Sequence, residues 1–156
     1  PVGTLTLGMD NPCGILADQL FRHEVDRYRV RRHKVCEFIK LAFNMGAQSK
    51  AYLASLIHLA VMYAYDIHQH DSLFIEVTPR HRQFYQRSLG FRQLGEEVVN
   101  PRVNVSGVLM HIDLHYMKEQ IHRHGGKPDS DERSFYPLFF SQREEAGIIN
   151  RLRNLG

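Results

Sequence analysis

The stretch KVCEFIKLAF (Lys34 to Phe43) constrains the fold more than any other segment. Its alternating faces are Val35, Glu37, Ile39, Leu41, Phe43 and Cys36, Phe38, Lys40, Ala42, and both are mostly apolar. A strand of that kind must be covered on both sides, so it belongs in the middle of a sheet. Glu37 and Lys40 then stand out, because a charge in a buried strand is costly unless it is paired, hydrogen-bonded or turned to a water-filled cleft. Two structural ion pairs would satisfy them. Alternatively, Glu37 is a general base whose apolar neighbours raise its pKa.

The elements around this strand alternate. VGTLTLGM (Val2 to Met9) reads as a strand closed by a turn at Asp10-Asn11-Pro12, and Ile15 to Tyr28 as a helix. The loop NMGAQS leads into a helix from about Lys50 to His68, whose Leu53, Leu56, Ile57, Ala60, Ala64 and Ile67 form a buried stripe. SLFIEV is a second buried strand, and Arg80 to Leu89 is a short helix stopped by Gly90. GVLMHIDLHY (Gly107 to Tyr116) alternates as a strand, with a hairpin-like end to the sheet. After Gly125-Gly126 a polar linker, KPDSDERS, leads to the aromatic run FYPLFF and a helix from Ser141 to Arg153. The expectation is a mixed α/β (α+β) sheet, with a core over 1–126 and a linker and C-terminal helix over 127–156 packing on it. The aromatic run could cover the core, line an apolar tunnel or mate with another subunit.

Several chemistries have no local support. There is no GxSxG, Walker loop or GxGxxG, and neither cysteine, Cys13 nor Cys36, sits in a CxxC metal spacing. His111-x-Asp113-x-His115 and His68-x-His70-Asp71 could hold a metal geometrically, but a half-exposed strand with polar outward positions explains the first set fully. No metal is expected. The start of the helix after NMGAQS offers free N–H groups and a dipole to an anion such as a phosphate. Gly46 and Ala47 permit close approach there, and Gln48, Ser49 and Lys50 add donors.

A chain of 156 residues, 43% hydrophobic and 24% charged, suits one globular domain. No apolar run approaches the roughly 20 residues needed to span a bilayer, so stable membrane insertion is not expected, and the two cysteines fit a reducing, cytoplasmic setting. The opening PVGTLTL is already strand-like and has no initiator Met, so an N-terminal segment is expected to be missing. The net charge of +3 is modest, but RYRVRRHK and PRHRQFYQR concentrate it in clusters suited to phosphate groups or an acidic protein. Nucleic acid is not expected, since no reading motif or set of interleaved stacking aromatics accompanies them.

Three segments carry a resemblance to a known family. VTPRHRQFYQRSLGF looks like VNPRHxxFYxxxLGF, NPRVNVSGVLMHIDL like PRVNxPAVLLxxDL, and CEFIKLAF like CExTRLAV. These are motifs of the long-chain N-acyl amino acid synthases, relatives of the autoinducer synthases within the GNAT acyltransferase superfamily. The likeness runs from about Val2 to His124 and continues weakly into YPLFFSQREEAGI.

The resemblance implies a mostly antiparallel GNAT-like sheet and direct transfer of a fatty acyl group from a phosphopantetheine thioester to an amine. The donor would be an acyl carrier protein or acyl-CoA, with no tightly bound cofactor. The acceptor would be an amino acid or similar small amine, and the oligomeric state is left open. Glu37 would match the glutamate near the amine and Tyr85 the tyrosine near the leaving sulfur. Leu41, Ala42, Phe43, Gly46, Ala47, Gln48, Ser49 and Lys50 would hold the pantetheine and its phosphate. Lys40 would bind substrate, and Arg102 and Asn104 would order substrate or serve a structural role. The sequence departs from the family where Ile39-Lys40 replaces Thr-Arg, where Thr78 replaces Asn, and in the glycine-poor loop. Lys cannot reproduce the bidentate grip of Arg on a carboxylate. The loop favours a carrier-protein donor over CoA, and a catalytically weakened acyl-binding or regulatory domain is the alternative reading.

Overall fold

Val35 and Cys36 are fully buried on opposite faces of one strand, which lies inside the sheet and is covered on both sides. The computed structural model describes residues 3–43 and 49–155, with side chains described outside 40–43. The strands are β1 (Gly3–Met9), β2 (Val35–Phe43), β3 (Ser72–Val77), β4 (Arg92–Asn100) and β5 (Val105–Asp113), in the spatial order β1-β2-β3-β5-β4. β2 and β3 run parallel, and the other neighbours are antiparallel. The mixed, mostly antiparallel sheet is the one expected.

A parallel pair needs a crossover. Here it is α2 (Ser49–Val61), which runs on into a π-helical turn, Met62–Ile67. Cys36 and Phe38 face α2 and join Leu53, Ala54, Ile57, Ile75, Met110 and Ile112 in the larger core. Val35 turns the other way, with Phe74 and Leu109, against Phe21 and Val25 of α1 (Asp18–Val30). Each such aliphatic or aromatic side chain contributes about 1.5–3 kcal/mol on burial, so both layers hold the sheet.

The short helix α3 (Arg82–Leu89) follows a 3₁₀ turn at Pro79–His81. Gly90 ends it with φ 90°, a left-handed cap that favours glycine. The expected strand over Gly107 to Tyr116 is corrected at its end. Leu114–His124 is a helix, α4, because the Asp113 carboxylate accepts from the backbone N–H groups of His115 and Tyr116 and caps it.

The aromatic run covers the core. Phe135, Tyr136 and Phe139 are buried, and the Tyr136 hydroxyl donates to the Leu89 carbonyl. α5 (Gln142–Leu155) is fastened by Glu145, whose carboxylate accepts from His58 Nε2 at 2.7 Å, Lys118 Nζ at 2.9 Å and His122 Nε2 at 2.9 Å. Burial alone would raise this carboxyl, but those three bonds outweigh it and bring it down to about 2. Among the described residues no helix is long and apolar enough to cross a membrane.

Candidate active site

β2 and β3 pair from Val35–Ser72 to Phe38–Ile75 and no further. Beyond that point each continues with a different neighbour. β2 stays with β1 through a bulge, since the pair Thr6–Ile39 is followed by Thr4–Ala42, two steps on one strand against three on the other. β3 stays with β5 to the pair Val77–Val108. The parting strands open a cleft of about 460 Å³ lined by Leu16, Ala17, Gln19, Leu20, Glu37, Phe38, Ile39, Ile75, Glu76, Val77, Thr78, His81, Tyr85 and Asn100. Residues of both sheet faces therefore meet in one space.

Glu37 occupies the α1 side. Its carboxylate accepts from the backbone N–H groups of Leu16 at 2.5 Å and Ala17 at 3.1 Å, in the turn that leads into α1. That turn is fixed by Arg29, which reaches Asp10, Asp18 and Asp26 at 2.7–2.8 Å. Gly14, at φ 85°, packs where a Cβ would stand 2.4 Å from Asp18 Oδ2. Burial raises the Glu37 pKa, the two N–H bonds pull against it, and the charges of Asp18 and Asp10 add to the rise. Expectation of a buried ion pair for Glu37 gives way to this pair of backbone bonds.

Tyr85 comes from α3, on the opposite face. Phe84 and Phe91 meet its ring edge-on, at 5.2 and 6.1 Å between centroids. Among the described residues its hydroxyl has no hydrogen-bond partner, and burial raises its pKa, so the phenol keeps its proton at neutral pH. At the cleft rim, Thr78 Oγ1 and His81 Nδ1 lie 3.1 Å apart in a hydrogen bond.

The remaining expected residues are dispersed. Leu41 lies in the β2 bulge, and Ala42 and Phe43 follow it in the strand. Gly46, Ala47 and Gln48 fall outside the described residues, as does the Lys40 side chain. Ser49 and Lys50 begin α2, the first buried and the second exposed. Lys50 joins Arg87 and Arg133 around a hollow of about 360 Å³ floored by Phe84 and Phe135. Arg102 and Asn104 are exposed in the β4–β5 turn, where Asn104 has φ 53° and donates its N–H to the Asn100 carbonyl. They stand in the turn, and Asn100 beside them lines the cleft.

Other chemistries find no seat. Burial, with the charge of Glu37, pushes the Cys36 thiol up to about 12, far from a nucleophilic thiolate. Neither histidine set gathers on one point, since Asp113 caps α4, His115 bonds Tyr65 and Asp71, His111 stacks on Tyr28, and His70 Nδ1 turns to the Ala64 carbonyl. Burial draws His111 down to about 4. Among the described residues no group of three His, Cys, Asp or Glu side chains could hold a metal ion.

Sequence reasoning missed Glu76 and Asn100. A signal existed for Glu76, the one charge in the buried strand SLFIEV.

Comparison with known proteins agrees with this architecture. A family model described as N-acyl amino acid synthase FeeM matches residues 1–113. The solved structure of FeeM, an N-acyl amino acid synthase from uncultured soil microbes, is similar at 25% identity with a TM-score of 0.66. The match covers 76% of this chain and 64% of that one, so the chain spans under two thirds of the FeeM length. The structure of a CoA-dependent acyl-homoserine lactone synthase, MesI, matches at 11% identity with a TM-score of 0.47, over 72% of this chain and 56% of that one. No curated protein matches.

Proposed function

The chain belongs to the N-acyl amino acid synthase FeeM family, and from that membership we propose that it transfers a fatty acyl group from a phosphopantetheine thioester to the amine of an amino acid or similar small acceptor. One observation carries the reading: carboxylates on one wall and the Tyr85 phenol on another line the single cleft where β2 and β3 part.

The chemistry follows from that arrangement. A neutral amine attacks the thioester carbonyl carbon, so protons must leave the nitrogen on the carboxylate side. The oxyanion that forms lies beside the β2 bulge between Ile39 and Ala42, where an extra residue disturbs the ladder and can leave a backbone N–H free to donate. The C–S bond then breaks, and Tyr85 supplies a proton to a thiolate whose ordinary pKa of about 8.5 demands only modest help.

For the donor we favour an acyl carrier protein. Lys50, Arg87 and Arg133 come from separate segments to surround one hollow, an arrangement suited to a phosphodiester on an acidic protein. Incubating the purified protein with acyl carrier protein or CoA thioesters and a panel of amino acids tests both statements. Thiol release with an N-acyl product by mass spectrometry is expected, faster from the carrier. No release from either donor with any amine would sink the acyl-transfer reading, and equal or better use of acyl-CoA would sink the carrier preference.

A further inference from the structure

The cleft holds two carboxylates in different surroundings. Glu37 pairs with Phe74 across the β2–β3 ladder, and Glu76 lies two residues beyond Phe74, so both glutamates point from the same sheet face. The Glu37 oxygens are occupied by the Leu16 and Ala17 N–H groups. Glu76 has no hydrogen-bond or ion-pair partner among the described residues, and it lines the cleft as an exposed side chain. Beneath it, Gly107 of β5 offers no side chain, and even a Cβ there would come only within 3.5 Å of Glu76 Cγ. The carboxylate therefore has room to meet a guest.

We propose that Glu76 takes the proton from the acceptor ammonium, while Glu37 is a positioning residue that fixes the turn before α1 and sets the charge Glu76 feels. The inference rests on the acyl-transfer reading. Two N–H donors hold the Glu37 carboxylate and take up its oxygens, which leaves Glu76 the carboxylate free to meet the ammonium. Partial burial and then the Glu37 charge raise Glu76. The other titratable groups at the cleft are His81 from the 3₁₀ turn and Tyr85 from α3, with Asp10 and Asp18 standing behind Glu37. β5 presents only Gly107 and Leu109 beside Glu76.

The protons balance. One passes from the ammonium to Glu76 and on to solvent through the open cleft. The neutral nitrogen forms the N–C bond, the C–S bond breaks, and the nitrogen gives up a second proton. The sulfur gains one through Tyr85, so amide and thiol form with net release of one proton.

The test uses Glu76→Gln and Glu37→Gln in the full chain, with thiol release followed against pH for two acceptors. One is an amino acid, charged at neutral pH, and the other is methoxyamine, which is already unprotonated there. For Glu76→Gln the expected result is a loss of about 10²-fold with the amino acid at pH 7, loss of the acidic limb, and near wild-type rates with methoxyamine. In Glu37→Gln the limb should move to lower pH. Carbon-13 carboxyl NMR should show Glu76 titrating above the ordinary glutamate range in the wild type and falling in Glu37→Gln. An active wild type matched by Glu76→Gln, an equal loss with both acceptors, or a Glu76 titration unmoved by Glu37→Gln overturns the assignment alone. A wild type inert with every amine overturns the acyl-transfer reading and this inference with it.

Discussion

Gly8 stands directly opposite Glu37 in the β1–β2 ladder, and a Cβ there would lie 3.2 Å from Glu37 Cγ and 3.3 Å from Oε2. The glycine is what allows the carboxylate to fold back toward the turn before α1. Gly8→Ala should keep the fold, since residue 8 needs no left-handed backbone, but push Glu37 off its two N–H donors. We expect turnover to fall by about 10-fold with little change in Tm, because small displacements of catalytic geometry are costly. Thiol-release kinetics beside a thermal melt would check it; unchanged turnover would show that the Glu37 position does not matter.

Tyr85→Phe removes the proposed proton donor and leaves the ring between Phe84 and Phe91. With an alkyl thioester kcat should fall by about 10-fold, a small effect because a thiolate leaves readily. With an aryl thioester, whose thiolate is a still better leaving group, the loss should nearly vanish. The same loss with both donors would make Tyr85 a packing residue only.

Charge reversal at Lys50 or Arg87 addresses the donor. Lys50→Glu or Arg87→Glu should raise KM for a carrier-bound thioester by about 10-fold at low salt and much less in molar salt, since exposed charges are screened. A KM that ignores both the charge and the salt would place carrier docking elsewhere.

Glu145 should govern stability rather than turnover. Glu145→Ala takes the buried carboxylate from His58 and His122 and leaves Lys118 only its Asp66 partner, a change that costs about 3 kcal/mol and lowers Tm by roughly 6–12 °C in a chain of this size. The pH dependence has a definite sign. The Glu145 carboxyl is lowered from 4.5 to about 2, so its contribution is complete above pH 4.5 and is lost as pH falls toward 2. Acid melts of the wild type and Glu145→Ala should converge in that window.

Much of the site was legible because its signals are local. The two apolar faces around Glu37 marked a central strand, and Pro79 and Gly90 bracket the turn and helix that carry Tyr85. β4 was hidden because it is an edge strand with mostly half-exposed or exposed residues and an irregular register between Leu94 and Val98, which leaves no clean alternation. The start of α4 was hidden because Leu114 continues the alternation of β5 while Asp113 already caps the helix. The relation of Glu76 to Glu37 was out of reach, since it depends on how β2 and β3 are registered, and no segment of sequence states that.

The parting of β2 and β3 also bears on the order of events. Under the proposed transfer, the parting lets both reactants share one cleft lined by residues of both sheet faces. Neither visitor needs to depart before the other arrives, so this architecture favours a ternary encounter over a ping-pong relay.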